Sequence, residues 1–209
     1  MNQLNLPEYP SLLFEADGGA KGRPLLLFLH GSGERGTNLE KVKAHGPPKL
    51  FPRYGLGRFS VLVPQCPEDK LWESNLLSAF VRKAIEQVNP DGKRIYLTGI
   101  SMGGFGAWEL AAEIPGLFAA VAIVCGGGDA RHADKFHALP IWLFHSAADE
   151  SVKVENGDGL FEALQAQNAP VTYTRYRDAG HVATWEQVYS SSLIFDWLLQ
   201  HSRFLQQSR

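Results

Sequence analysis

The sequence GISMG at residues 99–103 holds the serine whose type and setting best suit nucleophilic chemistry. It matches the pattern G-x-S-x-G, follows the apolar stretch 94–98 and precedes a helical pattern over residues 102–113. A serine in such a strand–turn–helix setting sits in a strained turn, which requires small neighbours on both sides. A helix start at Ser101 would also place free N–H groups and a positive dipole beside a developing oxyanion. The pattern therefore predicts Ser101 as a nucleophile.

A serine hydroxyl is a weak nucleophile until a base takes its proton, so a histidine must lie within reach. Of the seven histidines, His181 follows the last predicted strand, 171–177, and precedes the last predicted helix. This is the loop that delivers the base where the chain order is serine, acid, histidine. We therefore predict His181 as the general base. His145, at the end of a core strand, is interpreted as a buried, hydrogen-bonded structural residue.

The third member of such a site is an acid that fixes the imidazole tautomer and stabilises its charged form. Asp149 follows predicted strand 141–145 after a short loop and is the predicted acid. Asp129, Asp134 and Asp158 are the alternatives. Asp129 follows the preceding strand, whereas Asp158 is expected on the exposed face of the next helix.

The glycine-rich loop GSGERG at residues 31–36 has two interpretations. It matches the G-x-G-x-x-G pattern of dinucleotide sites, but that motif needs an acidic residue about twenty positions later for the ribose. Residues 41–67 contain no Asp or Glu. With His30 in front, the loop instead resembles a turn that gives one backbone N–H to an oxyanion hole, here Ser32, with Met102 giving the other. The simpler alternative is a turn that needs glycines for positive φ angles.

The elements that must position these residues alternate between short apolar runs and amphipathic stretches. The predicted strands are 12–15, 25–29, 59–64, 94–98, 120–125, 141–145 and 171–177, and the predicted helices are 74–89, 102–113, 155–168 and 185–200. Several strands are apolar at every position, which is typical of a parallel sheet buried on both faces. The pattern predicts an α/β fold with a mostly parallel sheet, in one domain over residues 1–209.

Composition argues against several classes of function. The 20 basic and 22 acidic residues give a net charge of −2, with no basic excess for nucleic acid or a membrane surface. No apolar run approaches the roughly 20 residues of a membrane helix, and the first residues show no signal segment. The two cysteines are expected to be reduced, partly buried thiols. We expect a cytoplasmic protein without a metal, since the spacing of His132 and His137 does not suit a helical ligand pair.

These segments together resemble the serine esterases of the α/β-hydrolase fold, in the branch of phospholipase/carboxylesterases, feruloyl- and acetylxylan-esterase-like proteins and predicted peptidases. The resemblance is carried by HGSGERG at 30–36, PQCP at 64–67, TGISMGG at 98–104, HSAAD at 145–149, and AGH at 179–181 with Trp185. It implies a central sheet with helices on both faces, with Ser101, His181 and Asp149 as the triad and Ser32 and Met102 as oxyanion donors. Ser146 and Lys153 depart from the usual residues of this branch, which leaves the subfamily open.

The expected activity is hydrolysis of small, soluble carboxylic esters through an acyl-enzyme, without a cofactor. A peptidase or amidase of the same fold and a hydrolase-fold protein that only binds a ligand are the alternatives. The interval 126–140 has room for one short helix but not for a cap domain, so we expect an open site without a lipase lid. Trp72 and Trp185 are candidate substrate contacts at its mouth, although Trp185 could instead pack against Leu193 and Trp197.

Overall fold

A computed structural model describes residues 1–203, so the last six residues of the predicted domain lie outside the described residues. Its strands are β1 (Asn2–Asn5), β2 (Pro10–Phe14), β3 (Leu25–Leu29), β4 (Ser60–Pro64), β5 (Ile95–Ile100), β6 (Ala120–Val124), β7 (Ile141–Ser146) and β8 (Val171–Tyr176). They form one sheet in the order β1-β2-β4-β3-β5-β6-β7-β8. The β1–β2 and β2–β4 pairs are antiparallel, and all other pairs are parallel. The predicted, mostly parallel α/β sheet is therefore confirmed.

The apolar strands separate two hydrophobic layers, as their composition predicts. In β3 every residue is buried: Leu25, Leu27 and Leu29 pack into one layer, while Leu26 and Phe28 pack into the other. Because successive side chains of a strand point to opposite faces, a strand covered on both faces must be apolar throughout.

Helices cover both faces of the sheet. They are α1 (Gly46–Leu50), α2 (Ser74–Val88), α3 (Met102–Glu113), α4 (Glu155–Ala166), α5 (His181–Tyr189) and α6 (Leu193–Leu199). Apolar residues of α2, α3 and α4 belong to one layer, and those of α1, α5 and α6 to the other. Among the described residues, none of the helices has the length and hydrophobicity that a membrane crossing requires.

One predicted element was wrong, and one strand was not predicted. The predicted helix 185–200 is two helices, α5 and α6, separated by Ser190, Ser191 and Ser192. Serine side chains compete with helical backbone bonding, and the Ser191 hydroxyl accepts a hydrogen bond from the Leu193 N–H. Both helices bury apolar residues in the same layer, so the apolar pattern continues across the break. Strand β1 was missed because only Leu4 of its residues is buried, and its pairing with β2 defines it instead.

The loops at the carboxyl ends of the parallel strands bring the candidate residues together. Strand β5 leads into α3 through Ser101, β7 into the loop of Asp149, and β8 into His181, the first residue of α5. Between β6 and β7 the chain forms only the short 3-10 helix Ala130–Lys135, as expected for a site without a cap. The other insertion, residues 37–58, is tied to α5 and α6 by ion pairs from Lys49 to Glu186 and from Arg58 to Asp196.

Candidate active site

Ser101 occupies a turn that only small neighbours permit. Its φ of 52° and ψ of −121° lie in a region that side chains rarely adopt. A Cβ on Gly99 would overlap the carbonyl oxygen of Gly103, and a Cβ on Gly103 would overlap that of Leu29. The glycines of the motif therefore allow strand β5 to turn directly into α3 with Ser101 at the apex.

Ser101, His181 and Asp149 form a continuous chain of hydrogen bonds. The Ser101 Oγ lies 2.9 Å from the His181 Nε2, and the His181 Nδ1 lies 2.6 Å from the Asp149 Oδ2. A carboxylate oxygen only accepts, so Nδ1 carries a hydrogen, which leaves Nε2 free to accept the hydroxyl proton of Ser101. The three predicted residues thus meet in the geometry of a nucleophile, its base and an orienting acid.

Asp149 is held in place as a charged acceptor. Its side chain is inaccessible to solvent, and its Oδ1 accepts hydrogen bonds from the backbone N–H groups of Ser151 at 2.9 Å and Val152 at 2.8 Å. Burial by itself raises the pKa of Asp149, but the hydrogen bonds from Val152, His181 and Ser151 outweigh it and lower the pKa. The carboxylate is therefore ionised at neutral pH and accepts from the imidazole.

The buried His145 lies against the Asp149 carboxylate. It is buried, and its Nε2 lies 2.9 Å from the Val152 carbonyl oxygen and 3.4 Å from the Asp149 Oδ2. The carbonyl can only accept, so His145 donates from Nε2 to the same loop that holds Asp149. This is the buried, hydrogen-bonded position that the sequence analysis predicts.

The alternative acids lie away from the Ser101–His181 pair. Asp129 is paired with the exposed Arg131, whose hydrogen bonds lower the pKa of Asp129 to about 2. Asp134 is exposed. Asp158 accepts hydrogen bonds from Tyr173 and Arg175, so it is partly enclosed by β8 instead of lying free on the helix face.

The two predicted oxyanion donors open neighbouring helices. Met102 is the first residue of α3 and Ser32 the first of the 3-10 helix Ser32–Glu34, so neither N–H has an intrahelical acceptor. A Cβ on Gly31 would lie 3.7 Å from the Ser101 Cβ, which places the Gly31–Ser32 turn against the nucleophile. Both N–H groups are thus at helix starts beside Ser101, where an anion is favoured.

His30 fixes the strand end that carries this turn. Its Nδ1 donates to the Gly31 carbonyl oxygen at 2.6 Å, and its Nε2 accepts from the Cys66 N–H at 3.0 Å. Burial lowers the pKa of His30 to about 4. The neutral ring with its hydrogen on Nδ1 satisfies both partners, so the loop is held by a fixed tautomer.

An apolar cavity of about 430 Å³ opens at the start of α3, at Met102. Its lining residues are Leu71, Trp72, Met102, Phe105, Gly106 and Glu109. Trp72, one of the two predicted contacts, contributes to this wall while its indole N–H donates to the His30 carbonyl oxygen at 3.1 Å. The cavity adjoins Met102, the predicted oxyanion donor that follows Ser101 in the chain.

The other predicted contact, Trp185, has a different setting. It is 6% exposed and packs edge-on against the His181 ring, with the ring centroids 4.7 Å apart. It belongs to the same buried apolar layer as Ile194, Phe195 and Leu198 of α6, and Trp197 packs against that layer, whereas Leu193 is exposed. Trp185 therefore buttresses the base and does not line the apolar cavity.

Comparison with known proteins identifies the family. Residues 67–190, more than half of the chain, match the dienelactone hydrolase family. This chain belongs to that family. The predicted resemblance to the serine esterases of the α/β-hydrolase fold is thereby confirmed.

One curated protein and two solved structures show what this family member is similar to. The bifunctional acetylxylan esterase/xylanase XynS20E of Neocallimastix patriciarum is 29% identical over 71% of the chain, which spans 22% of that protein. A thermostable esterase superposes with a TM-score of 0.85 and 33% identity over 97% of the chain, which spans 62% of that structure. Acylaminoacyl peptidase of Pyrococcus horikoshii has a TM-score of 0.70 at 12% identity, over 96% of this chain and 41% of its own, and shares the fold.

The side chains that could bind a metal in this dienelactone hydrolase family member are two members of the hydrogen-bonded chain and one buried thiol. Within residues 1–203, the one cluster of three candidate ligands consists of Cys125, Asp149 and His181, with the ligand atoms within 4.8 Å of one another. Asp149 and His181 are hydrogen bonded to each other, and burial raises the pKa of the Cys125 thiol. A protonated thiol is a poor metal ligand, so the cluster suits proton transfer better than metal binding. Both cysteines are free, as predicted, and they are fully buried where partial burial was expected.

Two further polar residues of this site were not predicted. Glu34 and His45 lie together beside the Gly31 turn, with 3.8 Å between the Glu34 Oε1 and the His45 Nε2. His45 belongs to the insertion at residues 37–58, whose path over the sheet has no sequence signature. The only signal for Glu34 is a single acidic residue within a glycine-rich loop.

Proposed function

We propose that this chain hydrolyses small, soluble carboxylic esters through a covalent acyl-enzyme on Ser101. The observation that carries the proposal is the unbroken hydrogen-bond chain from the Ser101 hydroxyl through His181 to the buried Asp149 carboxylate. With the Asp149 carboxylate accepting at Nδ1, the Nε2 of His181 faces the Ser101 hydroxyl, as the first step requires. No cofactor takes part in the proposed reaction.

In the first half-reaction the Ser101 Oγ attacks the ester carbonyl carbon while its proton moves to the His181 Nε2. The carbonyl oxygen becomes an oxyanion, which accepts hydrogen bonds from the Ser32 and Met102 N–H groups. The imidazolium is stabilised by Asp149 and gives its proton to the leaving alcohol oxygen as the carbon–oxygen bond breaks. The products are the free alcohol and the acyl group esterified to Ser101.

In the second half-reaction water replaces the alcohol. His181 takes a proton from water as the water oxygen attacks the acyl carbon, and the same two N–H groups hold the oxyanion. The proton then returns to the Ser101 Oγ, which releases the carboxylic acid and restores the enzyme. The apolar cavity beside Met102 is the proposed place for the acyl group, since its walls offer apolar surface with few hydrogen-bonding groups.

The direct test is replacement of the nucleophile. Ser101→Ala should lower kcat for p-nitrophenyl acetate by about 10⁴- to 10⁶-fold, because the covalent intermediate is lost. A fluorophosphonate should label the wild type once, at Ser101, as read by peptide mass spectrometry. Ser190→Ala, at an exposed position between α5 and α6, is the matched control and should keep both properties.

Activity that survives in Ser101→Ala, or labelling at another residue, would refute the mechanism. Comparison of p-nitrophenyl acetate with p-nitroacetanilide separates esterase from amidase function, because both carry the same acyl group. The esterase proposal requires much faster cleavage of the ester.

A further inference from the structure

Side chains hold the backbone carbonyl groups of the Gly31–Ser32 turn, which carries one of the two predicted oxyanion donors. The Gly31 carbonyl oxygen accepts from the His30 Nδ1 at 2.6 Å, and the Ser32 carbonyl oxygen accepts from the Arg35 Nε at 3.0 Å. The Ser32 N–H has no acceptor within residues 1–203. A backbone N–H without an acceptor in the folded chain can donate to an outside acceptor, such as an oxyanion.

These bonds fix the direction in which the Ser32 N–H points. The peptide bond between Gly31 and Ser32 is trans, since the one cis bond in the described part of the chain precedes Pro52. A trans peptide group is planar, and its C=O and N–H point in opposite directions. His30 therefore orients the Ser32 N–H through the carbonyl of the same peptide group. Arg35 holds the next peptide group, so Ser32 is restrained on both sides.

Arg35 also connects this turn to the wall of the apolar cavity. Its Nη1 donates to the Lys70 carbonyl oxygen at 3.2 Å, and Lys70 directly precedes the cavity-lining residues Leu71 and Trp72. The guanidinium group is planar and has donors in fixed directions, so it can hold two carbonyl oxygens at a set spacing. The ammonium group of a lysine lacks this planar fork.

The loop that follows β4 holds the backbone on either side of Arg35. The buried Gln65 donates from its Nε2 to the Glu34 carbonyl oxygen at 2.8 Å. The carbonyl oxygen of the buried Cys66 accepts from the Gly36 N–H at 3.0 Å. The Arg35 side chain therefore starts from a fixed backbone position, and the positions of its two acceptors follow from the same packing.

We propose that Arg35 is a positioning residue of the oxyanion hole, which keeps the Ser32 N–H directed at the reacting carbonyl oxygen. In this role Arg35 does not touch the substrate, because it acts through the Ser32 backbone. Burial lowers the pKa of His30 to about 4, and the Arg35 charge acts in the same direction, so the ring stays neutral with its hydrogen on Nδ1. The inference rests on the proposed function, since it concerns the oxyanion of the same reaction.

Removal of the guanidinium group, followed by its addition from solution, tests the inference. Arg35→Ala should lower kcat for p-nitrophenyl acetate by about 10- to 100-fold, less than the loss of a whole donor, and keep KM within about threefold. Arg35 is partly exposed, so a small cation can enter its place. Guanidinium chloride at about 0.1 M, too dilute to unfold most domains, should raise kcat of Arg35→Ala at least about fivefold. Methylammonium chloride should not, because it has no planar fork.

Inhibition by trifluoroacetone is a second readout that separates positioning from folding. The Ser101 Oγ adds to the ketone carbon while its proton moves to His181, and the hemiketal oxyanion then occupies the hole. The inhibition constant should rise in Arg35→Ala by about the factor by which kcat/KM falls. The number of sites labelled by a fluorophosphonate should equal that of the wild type. Arg131→Ala, which removes an exposed arginine paired with Asp129, is the matched control and should change none of these values.

Each contrary result has its own meaning. A kcat and an inhibition constant within about twofold of the wild type in Arg35→Ala would overturn the inference. A loss that matches a loss of labelled sites would show that Arg35 supports only the fold, and a loss confined to KM would make it a substrate contact; both results overturn it. Guanidinium that restores no more than methylammonium also overturns it. A wild type that is neither labelled nor active on p-nitrophenyl acetate refutes the proposed function itself.

Discussion

Replacing Asp149 by asparagine tests how the acid controls the base, because this change alters one atom of the carboxyl group. The Asp149 Oδ1 accepts from two backbone N–H groups and the Oδ2 accepts from the His181 Nδ1. The amide of asparagine has one oxygen, which accepts, and one NH₂ group, which donates, so it can accept hydrogen bonds either from the backbone N–H groups or from the His181 Nδ1, but not from both. The orientation of the amide therefore decides the tautomer of His181.

The energies favour an inactive arrangement. If the NH₂ group faced Ser151 and Val152, two buried N–H donors would lose their acceptor, at a cost of about 1–3 kcal/mol each. With the amide oxygen on that side, the NH₂ group faces the His181 Nδ1, which must then accept and leave its hydrogen on Nε2. The Ser101 hydroxyl then has no base. We expect kcat/KM to fall by about 10⁴-fold, or about 5 kcal/mol in the barrier.

The assay is kcat/KM for p-nitrophenyl acetate, with thermal unfolding followed by circular dichroism. The melting temperature of Asp149→Asn should stay within a few degrees of the wild type, because the two backbone bonds survive. Asp129→Asn is the matched control, since Asp129 is paired with an exposed arginine outside the triad, and it should keep the rate within about twofold. Less than tenfold loss in Asp149→Asn, or a larger loss in Asp129→Asn, would refute the assignment of the acid.

Two further predictions concern substrate size and acid stability. p-Nitrophenyl acetate or butyrate should have a higher kcat/KM than p-nitrophenyl palmitate, and the rate should not rise above the solubility limit of the substrate, because the apolar cavity of about 430 Å³ has no lid among the described residues. A preference for the palmitate, or interfacial activation, would contradict this. Because burial lowers the pKa of His30 to about 4, the unfolded state takes up a proton first as pH falls from about 6.5 to 4. The free energy of unfolding from urea titrations should therefore lose about 2 kcal/mol through this group between pH 7.5 and 5. His30→Gln should reduce the loss and exposed His137→Gln should not; equal losses in both variants would show that His30 does not cause it.

The sequence by itself determined the fold class and the local setting of the proposed nucleophile. Strands such as 25–29 can be predicted because a strand covered on both faces has to be apolar at every position, which few other elements share. Helix α3 and the turn before it follow from the glycines around Ser101, since a Cβ at Gly99 or Gly103 would overlap backbone. The order of Ser101, Asp149 and His181 along the chain predicted that the three would meet, and their catalytic roles stay predictions.

The tertiary structure decided which residues from distant segments surround these three. The break between α5 and α6 is hidden in the sequence because both helices bury apolar residues in the same layer. The contact of Glu34 with His45 depends on how the insertion at residues 37–58 crosses the sheet. Hydrophobic periodicity records which face of an element is buried, whereas the neighbours of a polar side chain depend on the packing of loops. For that reason the sequence predicts that Ser101, Asp149 and His181 meet, and it does not predict the Glu34–His45 pair beside the Gly31 turn.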